Sequence, residues 1–221
     1  MLKPYAVIFD MDGVLVDSYE AHYQSWSQMA RRNELPLTRE QFEWSFGRTS
    51  RETIAALWGD GELSEERIAA LDSEKEERYR DIIRADFPAM EGVGELIQAL
   101  TDAGFSMAIG SSGPAANVAA TVEFLPHGEL LNARVTGDDV TRGKPDPQVF
   151  LLAAEKLGVP PVRCAVVEDA PAGITAAHAA GMVAIGLVST GRTAEELADA
   201  ELVVQHLNEL TPERIAELID R

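Results

Sequence analysis

Two aspartates, Asp10 and Asp12, lie two residues apart directly after a short apolar run, and Gly13 follows them. In an extended chain, residues two apart point to the same side, so both carboxylates would face one ligand. One carboxylate could attack phosphorus to form an aspartyl phosphate, while the other protonates the leaving oxygen and then deprotonates the incoming water or hydroxyl. The pair therefore indicates phosphoryl transfer, although the same pattern by itself is also common in turns.

More polar groups follow three later apolar runs: the hydroxyls of Ser111 and Ser112, the ammonium of Lys144, and the carboxylates of Glu168 and Asp169. Ligands of open α/β sheets bind beyond the carboxyl ends of the strands, so these groups are expected to share one crevice with the aspartate pair. Lys144 would offset the repulsion between a carboxylate and an anionic phosphate, and Ser111 would hold phosphate oxygens with free backbone N–H groups. Each group alone is more often structural, but their common order after strands predicts one phosphate-binding site that includes Gly13 and Ser112.

The four carboxylates of this site imply a cation, because they cannot all stay ionised at close range without one. The sequence has four histidines and one cysteine, and they form no cluster typical of zinc. Hard oxygen ligands favour Mg²⁺. The ligands expected are Asp10, the backbone carbonyl of Asp12, and Asp169, with Glu168 either binding directly or lying in the surrounding shell.

The elements that must position these groups are short apolar runs alternating with helical patterns. The runs are mostly continuously apolar, as in parallel strands covered on both faces, and they predict an open parallel α/β sheet. The predicted strands are Ala6–Phe9, Met107–Gly110, Arg134–Thr136, Ala165–Val167, Val183–Leu187 and Leu202–Val204. The predicted helices between and after them are Val93–Ala103, Pro147–Leu157, Ala172–Ala180 and one that begins at Thr211.

The spacing between the first two strands is too long for a simple crossover. The first strand ends near Asp10 and the next begins near Ser106, whereas a parallel crossover needs only about a dozen residues. The helix Val93–Ala103 can serve as that crossover, so the segment before it is surplus. Its helical patterns are Tyr19–Arg32, Ser50–Leu57 and Ser64–Arg84. We predict a helical cap of residues 18–87 inserted into a catalytic core of residues 1–17 and 88–221.

The bulk properties limit the possible partners and compartment. A net charge of −18 argues against nucleic acids and anionic membranes as partners, but not against a small phosphate ligand beside a metal ion and a lysine. No apolar run is long enough to span a bilayer, and no signal peptide is apparent. Cys164 is the single cysteine and lies in an apolar run, so we expect a buried core residue and no internal disulfide. A cytoplasmic protein is expected, and a monomer is compatible with these features.

The motifs together resemble those of the haloacid dehalogenase superfamily, in the right order and over essentially the whole chain. The matching segments are Phe9–Ser18, Ile109–Ser112, Gly143–Pro147, and Val166–Ile174 with Ala179–Met182. The resemblance implies a Rossmann-like core, a Mg²⁺ cofactor and an aspartyl-phosphate intermediate, with Asp10 as nucleophile and Asp12 as acid/base. Phosphotransferases of the family carry an acid at the position of Asp12, whereas dehalogenases usually carry Tyr and phosphonate-cleaving members Ala.

The inserted segment resembles the cap of the subgroup that holds beta-phosphoglucomutase and related phosphatases. His22 and Lys75 stand where the mutase has a His and a Lys, and Ser50–Glu52 matches a mutase segment. The loop Gly47-Arg48-Thr49, however, is one residue longer than the mutase pattern. We predict that four cap residues contact substrate: His22, Arg48, Arg51 and Lys75. The structural alternatives are that His22 lies on a partly buried helix face beside Trp26 and that Lys75 pairs with nearby glutamates.

The function predicted from the sequence is a Mg²⁺-dependent phosphatase of a small phosphorylated metabolite, with a sugar phosphate as one candidate. The first alternative is a hexose-phosphate mutase. Against it, Gly113-Pro114-Ala115 replaces the polar Ser-Lys-Asn run with which the mutase holds the distal phosphate. The second alternative is a non-enzymatic phospho-receiver module, but such modules are usually much shorter and lack a cap after the first strand.

Overall fold

A computed structural model describes residues 5–45, 48–59 and 63–221 of the chain. Gly47, in the loop compared with the mutase pattern, lies outside the described residues. The chain divides into two compact units. One comprises Met1–Asp17 with Pro88–Arg221, and the other comprises Ser18–Phe87. Within the described residues, we find no helix with the length and apolar character needed to cross a membrane.

A six-stranded parallel sheet forms the centre of the larger unit. Its strands are β1 (Ala6–Phe9), β2 (Ser106–Gly110), β3 (Ala133–Val135), β4 (Cys164–Glu168), β5 (Val183–Leu187) and β6 (Leu202–Val204). Their order across the sheet is β3-β2-β1-β4-β5-β6, with β1 paired to both β2 and β4. The predicted α/β fold class is confirmed, and all six predicted strands form, with ends that shift by at most one residue. Glu168 is thus the last residue of β4, whereas the sequence pattern placed it just after that strand.

The α-helices of the described residues are α1 (Tyr19–Arg32), α2 (Arg39–Ser45), α3 (Ser50–Trp58), α4 (Glu65–Ala85), α5 (Val93–Asp102), α6 (Ala115–Phe124), α7 (Gln148–Leu157), α8 (Pro171–Ala179) and α9 (Pro212–Ile219). Helices α2 and α6 were not predicted. The signal for α2 was present, since Thr38 and Gln41 exchange the two hydrogen bonds of a capping box. Helix α6 buries Asn117 and Thr121 beside Val118 and Val122, so two polar residues interrupt its apolar face.

The strands lie between helices that bury them on both faces. All four residues of β1 are fully buried, and Cys164 in β4 is a buried core residue as predicted. Ile8 and Val166 pack in one core cluster with Phe150 of α7 and Ile174 of α8. The central strands are therefore held firmly at the point where their carboxyl ends leave the sheet.

The helical unit has an apolar core of its own, formed by residues of α1, α2, α3 and α4. Its buried members are Trp26, Met29, Phe42, Ile54, Ile68 and Leu71. Thr49 and Glu52 form a capping box that starts α3, and the Ser64 hydroxyl accepts the Arg67 N–H at the start of α4.

Candidate active site

The chain turns sharply where β1 ends, and this turn presents the first two aspartates. The N–H of Asp10 still donates to the carbonyl of Val167 in β4, at 2.9 Å, so its backbone continues the sheet. Gly13 follows with a φ of +79°, a conformation that favours glycine, and its N–H donates to the Val16 carbonyl at 2.8 Å. A Cβ atom at residue 13 would lie 2.3 Å from Oδ2 of Asp169, so glycine is also required by the close approach of that carboxylate.

Lys144 joins the carboxylates of the two central strands. Its Nζ donates to Oδ1 of Asp10 at 2.5 Å and to Oε1 of Glu168 at 2.6 Å. The Lys144 side chain is only 10% exposed. Burial by itself would lower the pKa of the ammonium, but Asp10 and Glu168 outweigh it and raise the Lys144 pKa above its ordinary value. Lys144 therefore stays charged at any physiological pH.

Three buried carboxylates gather at this point: Asp10, Glu168 and Asp169, each with an oxygen within 4.8 Å of the others. Burial raises the pKa of Asp10 well above its usual range, and the charges of Glu168 and Asp169 add to that effect while Lys144 opposes it. Burial, together with the charge of Glu168, raises the pKa of Asp169 to about 7. One ammonium faces three carboxylates, so the cluster has an excess of negative charge when ionised.

The start of α8 fixes the Glu168 side chain. Oε2 of Glu168 accepts the N–H of Ala170 at 3.1 Å while Oε1 accepts from Lys144. A Cβ atom built on Gly173 would lie 1.9 Å from the Glu168 carboxyl group. Glycine at residue 173 therefore leaves the space in which the carboxylate lies across the first turn of α8.

The loop after β5 contributes two residues that the sequence analysis missed. The Thr190 hydroxyl donates to Oδ2 of Asp169, and the Ser189 hydroxyl donates to the Gly13 carbonyl at 2.6 Å. A signal was available, because β5 lies beside β4 and two hydroxyl residues follow its carboxyl end. The rule that located the other site residues, applied to this strand, would have included them.

Ser111 and Ser112 differ in their surroundings. Ser111 is 1% exposed, and its Oγ accepts the N–H of Gly113 at 2.9 Å. A Cβ atom at residue 113 would lie 3.2 Å from that Oγ and 4.0 Å from Oδ2 of Asp12, so Asp12 and Ser111 flank the same glycine. Ser112 is exposed, and its carbonyl approaches Gly137 instead.

In the helical unit, two of the predicted substrate residues contact each other. Nζ of Lys75 lies 3.1 Å from Nδ1 of His22 and donates to Oε1 of Glu76 at 2.9 Å. The His22 ring stacks on Tyr79, with ring centroids 4.1 Å apart. Lys75 is 3% exposed. The pairing of Lys75 with a glutamate, the structural alternative considered from the sequence, is therefore present.

The two predicted arginines lie in separate surface pairs of the same unit. Arg51 donates to Glu65 at 2.6 Å, and both side chains are exposed. The Arg48 guanidinium lies 4.4 Å from the centroid of the Trp44 ring, and Trp44 is half exposed. Neither arginine joins the His22–Lys75 contact.

Comparison with known proteins places this geometry in a family. Residues 5–181 match the family described as haloacid dehalogenase-like hydrolase. Validoxylamine A 7'-phosphate phosphatase from Streptomyces hygroscopicus subsp. limoneus is 32% identical over 206 residues, covering 92% of this chain and 94% of the relative. Beta-phosphoglucomutase from Bacillus subtilis (strain 168) is 33% identical over 221 residues, covering 96% of this chain and 94% of the relative.

A solved structure agrees over nearly the whole chain. Beta-phosphoglucomutase from Clostridium difficile superposes with a TM-score of 0.85 at 26% identity, covering 98% of this chain and 97% of that chain. The family expected from the motifs is thus confirmed: the chain belongs to the haloacid dehalogenase-like hydrolases and is an enzyme of that family.

Proposed function

We propose that this hydrolase is a Mg²⁺-dependent phosphatase of a small phosphorylated metabolite, acting through an aspartyl phosphate on Asp10. The observation that carries the proposal is the cluster in which Lys144 bridges Asp10 and Glu168 beside Asp169. A nucleophilic carboxylate, a fixed ammonium and a set of oxygen ligands are the groups that phosphoryl transfer requires. Sugar phosphates are the substrate class to test first, since one named relative is a beta-phosphoglucomutase and the other is a phosphatase of a phosphorylated small molecule.

The charges of the cluster fit a divalent cation. With Asp10, Glu168 and Asp169 ionised and Lys144 protonated, two negative charges remain uncompensated in a buried site. Carboxylate oxygens are ligands that Mg²⁺ prefers. We assign Asp10, Asp169 and the backbone carbonyl of Asp12 as its ligands, with Glu168 in support. When bound, Mg²⁺ would neutralise the charge that develops on the transferring phosphate.

The chemical steps follow from the two aspartates of the first turn. A carboxylate oxygen of Asp10 attacks phosphorus, the bond from phosphorus to the substrate oxygen breaks, and Asp12 gives its proton to that oxygen. Water then attacks the aspartyl phosphate while Asp12 takes a proton from it, which releases inorganic phosphate and restores Asp10. Lys144 holds Asp10 in position and lowers its pKa against the effect of burial, so that the nucleophile can be ionised. We assign the Ser111 hydroxyl, whose oxygen accepts the Gly113 N–H and whose proton can still be donated, to a phosphate oxygen.

Hydrolysis is favoured over mutase activity by the segment after β2. A mutase must hold a second phosphate, and every backbone donor of Gly113-Pro114-Ala115 is already used or missing. The Gly113 N–H donates to Ser111 Oγ, Pro114 has no N–H, and the Ala115 N–H donates to Asp138 Oδ2, both bonds measuring 2.9 Å. Their side chains add no donor, and the Asp138 carboxylate would repel an anion. We therefore propose water as the acceptor.

The helical unit is proposed to act as the cap that selects the substrate. His22 and Lys75 are proposed as its contacts with an anion or its hydroxyl groups, because an amine and an imidazole lie together there, with Lys75 Nζ 3.1 Å from His22 Nδ1. Arg48 and Arg51 are exposed and are proposed as further cap contacts.

The test of the proposed function is phosphate release from a panel of phosphorylated metabolites in the presence of Mg²⁺. Asp10→Asn serves as the matched variant because it removes the nucleophile with little change of shape. We expect this variant to lose turnover while its circular dichroism spectrum stays that of the wild type. Substantial Mg²⁺-dependent activity of the Asp10→Asn protein would refute the mechanism.

A hexose-phosphate mutase is the second candidate, and the contact between His22 and Lys75 favours it, because the mutase has the same residue types at these positions. This candidate predicts isomerisation of a hexose phosphate in the presence of a bisphosphate activator, with little net phosphate release. Both products are measured in the same reaction, so the assay decides between the two candidates.

A further inference from the structure

Thr190 adopts a backbone conformation that a β-branched residue rarely takes. Its φ is +52°, in the left-handed region. Such conformations persist where surrounding contacts hold them, and they cluster at functional sites. Here the loop after β5 directs the Thr190 hydroxyl to Oδ2 of Asp169, one of the proposed Mg²⁺ ligands.

The packing around Asp169 leaves its Oδ2 side enclosed. A Cβ atom at residue 13 would lie 2.3 Å from Asp169 Oδ2 and 2.7 Å from Thr190 Cγ2, so the Gly13 backbone, the carboxylate and Thr190 pack against each other. Asp169 is only 6% exposed. With Oδ2 enclosed in this way, the carboxylate has little freedom to rotate while Thr190 is in place.

The neighbouring hydroxyl of Ser189 has a different role. Its Oγ lies 2.6 Å from the Gly13 carbonyl and 3.5 Å from Asp169 Oδ2. A serine hydroxyl has one proton to donate, and the shorter distance assigns it to the carbonyl. Ser189 therefore ties the loop after β5 to the turn after β1, and Thr190 is left as the donor that orients the carboxylate.

We propose that Thr190 is a positioning residue that fixes the Asp169 carboxylate in the orientation needed to bind Mg²⁺. The inference rests on the proposed function, since it assumes that Asp169 is a Mg²⁺ ligand. Groups that hydrogen-bond to metal ligands typically change metal affinity about 10- to 100-fold when they are removed. The positive φ of Thr190 places its hydroxyl against Oδ2 of Asp169, and this contact offsets the strain of the backbone.

The experiment measures Mg²⁺ binding to the purified protein by titration calorimetry, without substrate. Thr190→Val keeps the β-branched shape and removes the hydroxyl, and we expect its Mg²⁺ affinity to fall about 10- to 100-fold. Thr190→Ser restores the hydroxyl and should bind within about threefold of the wild type. Ser189→Ala removes a hydroxyl from the same loop and serves as the matched control. It should lower the Mg²⁺ affinity less than Thr190→Val does.

Thr190→Gly separates orientation from loop stability. Glycine accepts the positive φ without strain, so this variant should melt in chelator at a temperature no lower than that of Thr190→Val, which loses the same hydrogen bond but keeps the strain. It should nevertheless bind Mg²⁺ as weakly as Thr190→Val does. Wild-type affinity in Thr190→Val or in Thr190→Gly would overturn the positioning role while leaving the proposed function standing. A wild-type protein that binds no Mg²⁺ would overturn both.

Discussion

The raised pKa of Asp169 predicts that the metal-free protein becomes more stable when this carboxyl group is replaced by an amide. The folded pKa of about 7 lies above the ordinary value of 3.8, so the folded state holds its proton over a pH range in which the unfolded state has lost it. The free energy of unfolding is therefore highest at low pH, falls as the pH rises from about 4 to about 7, and levels off above pH 7, as far as Asp169 determines it. Asp169→Asn removes this dependence.

The magnitude follows from about 1.4 kcal/mol for each unit of pKa shift. For a folded pKa of about 7 and an unfolded pKa of 3.8, Asp169 lowers the free energy of unfolding by about 4 kcal/mol at pH 8, where the folded state must ionise it. At pH 5, where the folded state keeps a proton that the unfolded state has lost, the loss is less than about half of that. The Thr190 hydroxyl can still donate to the side-chain oxygen of an asparagine. We therefore expect Asp169→Asn to exceed the wild type in free energy of unfolding by these amounts.

The assay is urea unfolding of both proteins in chelator at pH 5 and pH 8, followed by circular dichroism. The control is Asp199→Asn, which removes the same charge from an exposed side chain and should change the free energy of unfolding by no more than about 0.5 kcal/mol. A second arm adds Mg²⁺ at pH 8, which should stabilise the wild type and leave Asp169→Asn unchanged. If Asp169→Asn is no more stable than the wild type at pH 8, the electrostatic reasoning is wrong.

Two further predictions concern Lys144 and Cys164. Lys144→Met should lower Mg²⁺-dependent turnover about 10²- to 10³-fold, because the Lys144 ammonium lowers the pKa of Asp10 against the effect of burial. Activity within threefold of the wild type would contradict this role. Burial raises the pKa of Cys164 to about 12, so its thiol should resist iodoacetamide at pH 8 in the native protein and react fully in urea, whereas rapid native labelling would contradict its burial.

The central part of the site was predictable from the sequence because each of its groups follows an apolar strand. Asp10 and Asp169 come directly after β1 and β4, and neighbouring parallel strands bring their carboxyl ends together. Lys144 lies in the loop after β3 rather than at the strand end, but its place after the third apolar run was enough to predict that it shares the crevice with Asp10. The prediction of one crevice therefore rested on simple geometry.

The contribution of Thr190 could not be read from the sequence in the same way. Ser189-Thr190-Gly191 indicates a turn in which Gly191 can take a positive φ, but nothing in the sequence says that Thr190 takes one as well. Thr190 is β-branched and yet has a positive φ, and in that conformation its hydroxyl donates to Asp169, a residue far away in the sequence. A contact of that kind is visible only in the folded structure. Helix α6 was missed for a different reason, because buried Asn117 and Thr121 interrupt its apolar face.

The central strands are rigid. We therefore expect cation binding to change the protonation of the clustered carboxylates and not the positions of the strands that carry them. All residues of β1 are fully buried, and the Asp10 N–H is bonded to β4, so the backbone cannot move to separate the carboxylates. Repulsion within the cluster is relieved only by taking up protons or a cation. A metal-free protein at pH 8 should therefore melt at a lower temperature than at pH 5, and saturating Mg²⁺ should remove most of that difference. A melting temperature that rises from pH 5 to pH 8 in chelator would show that the cluster relaxes by moving instead.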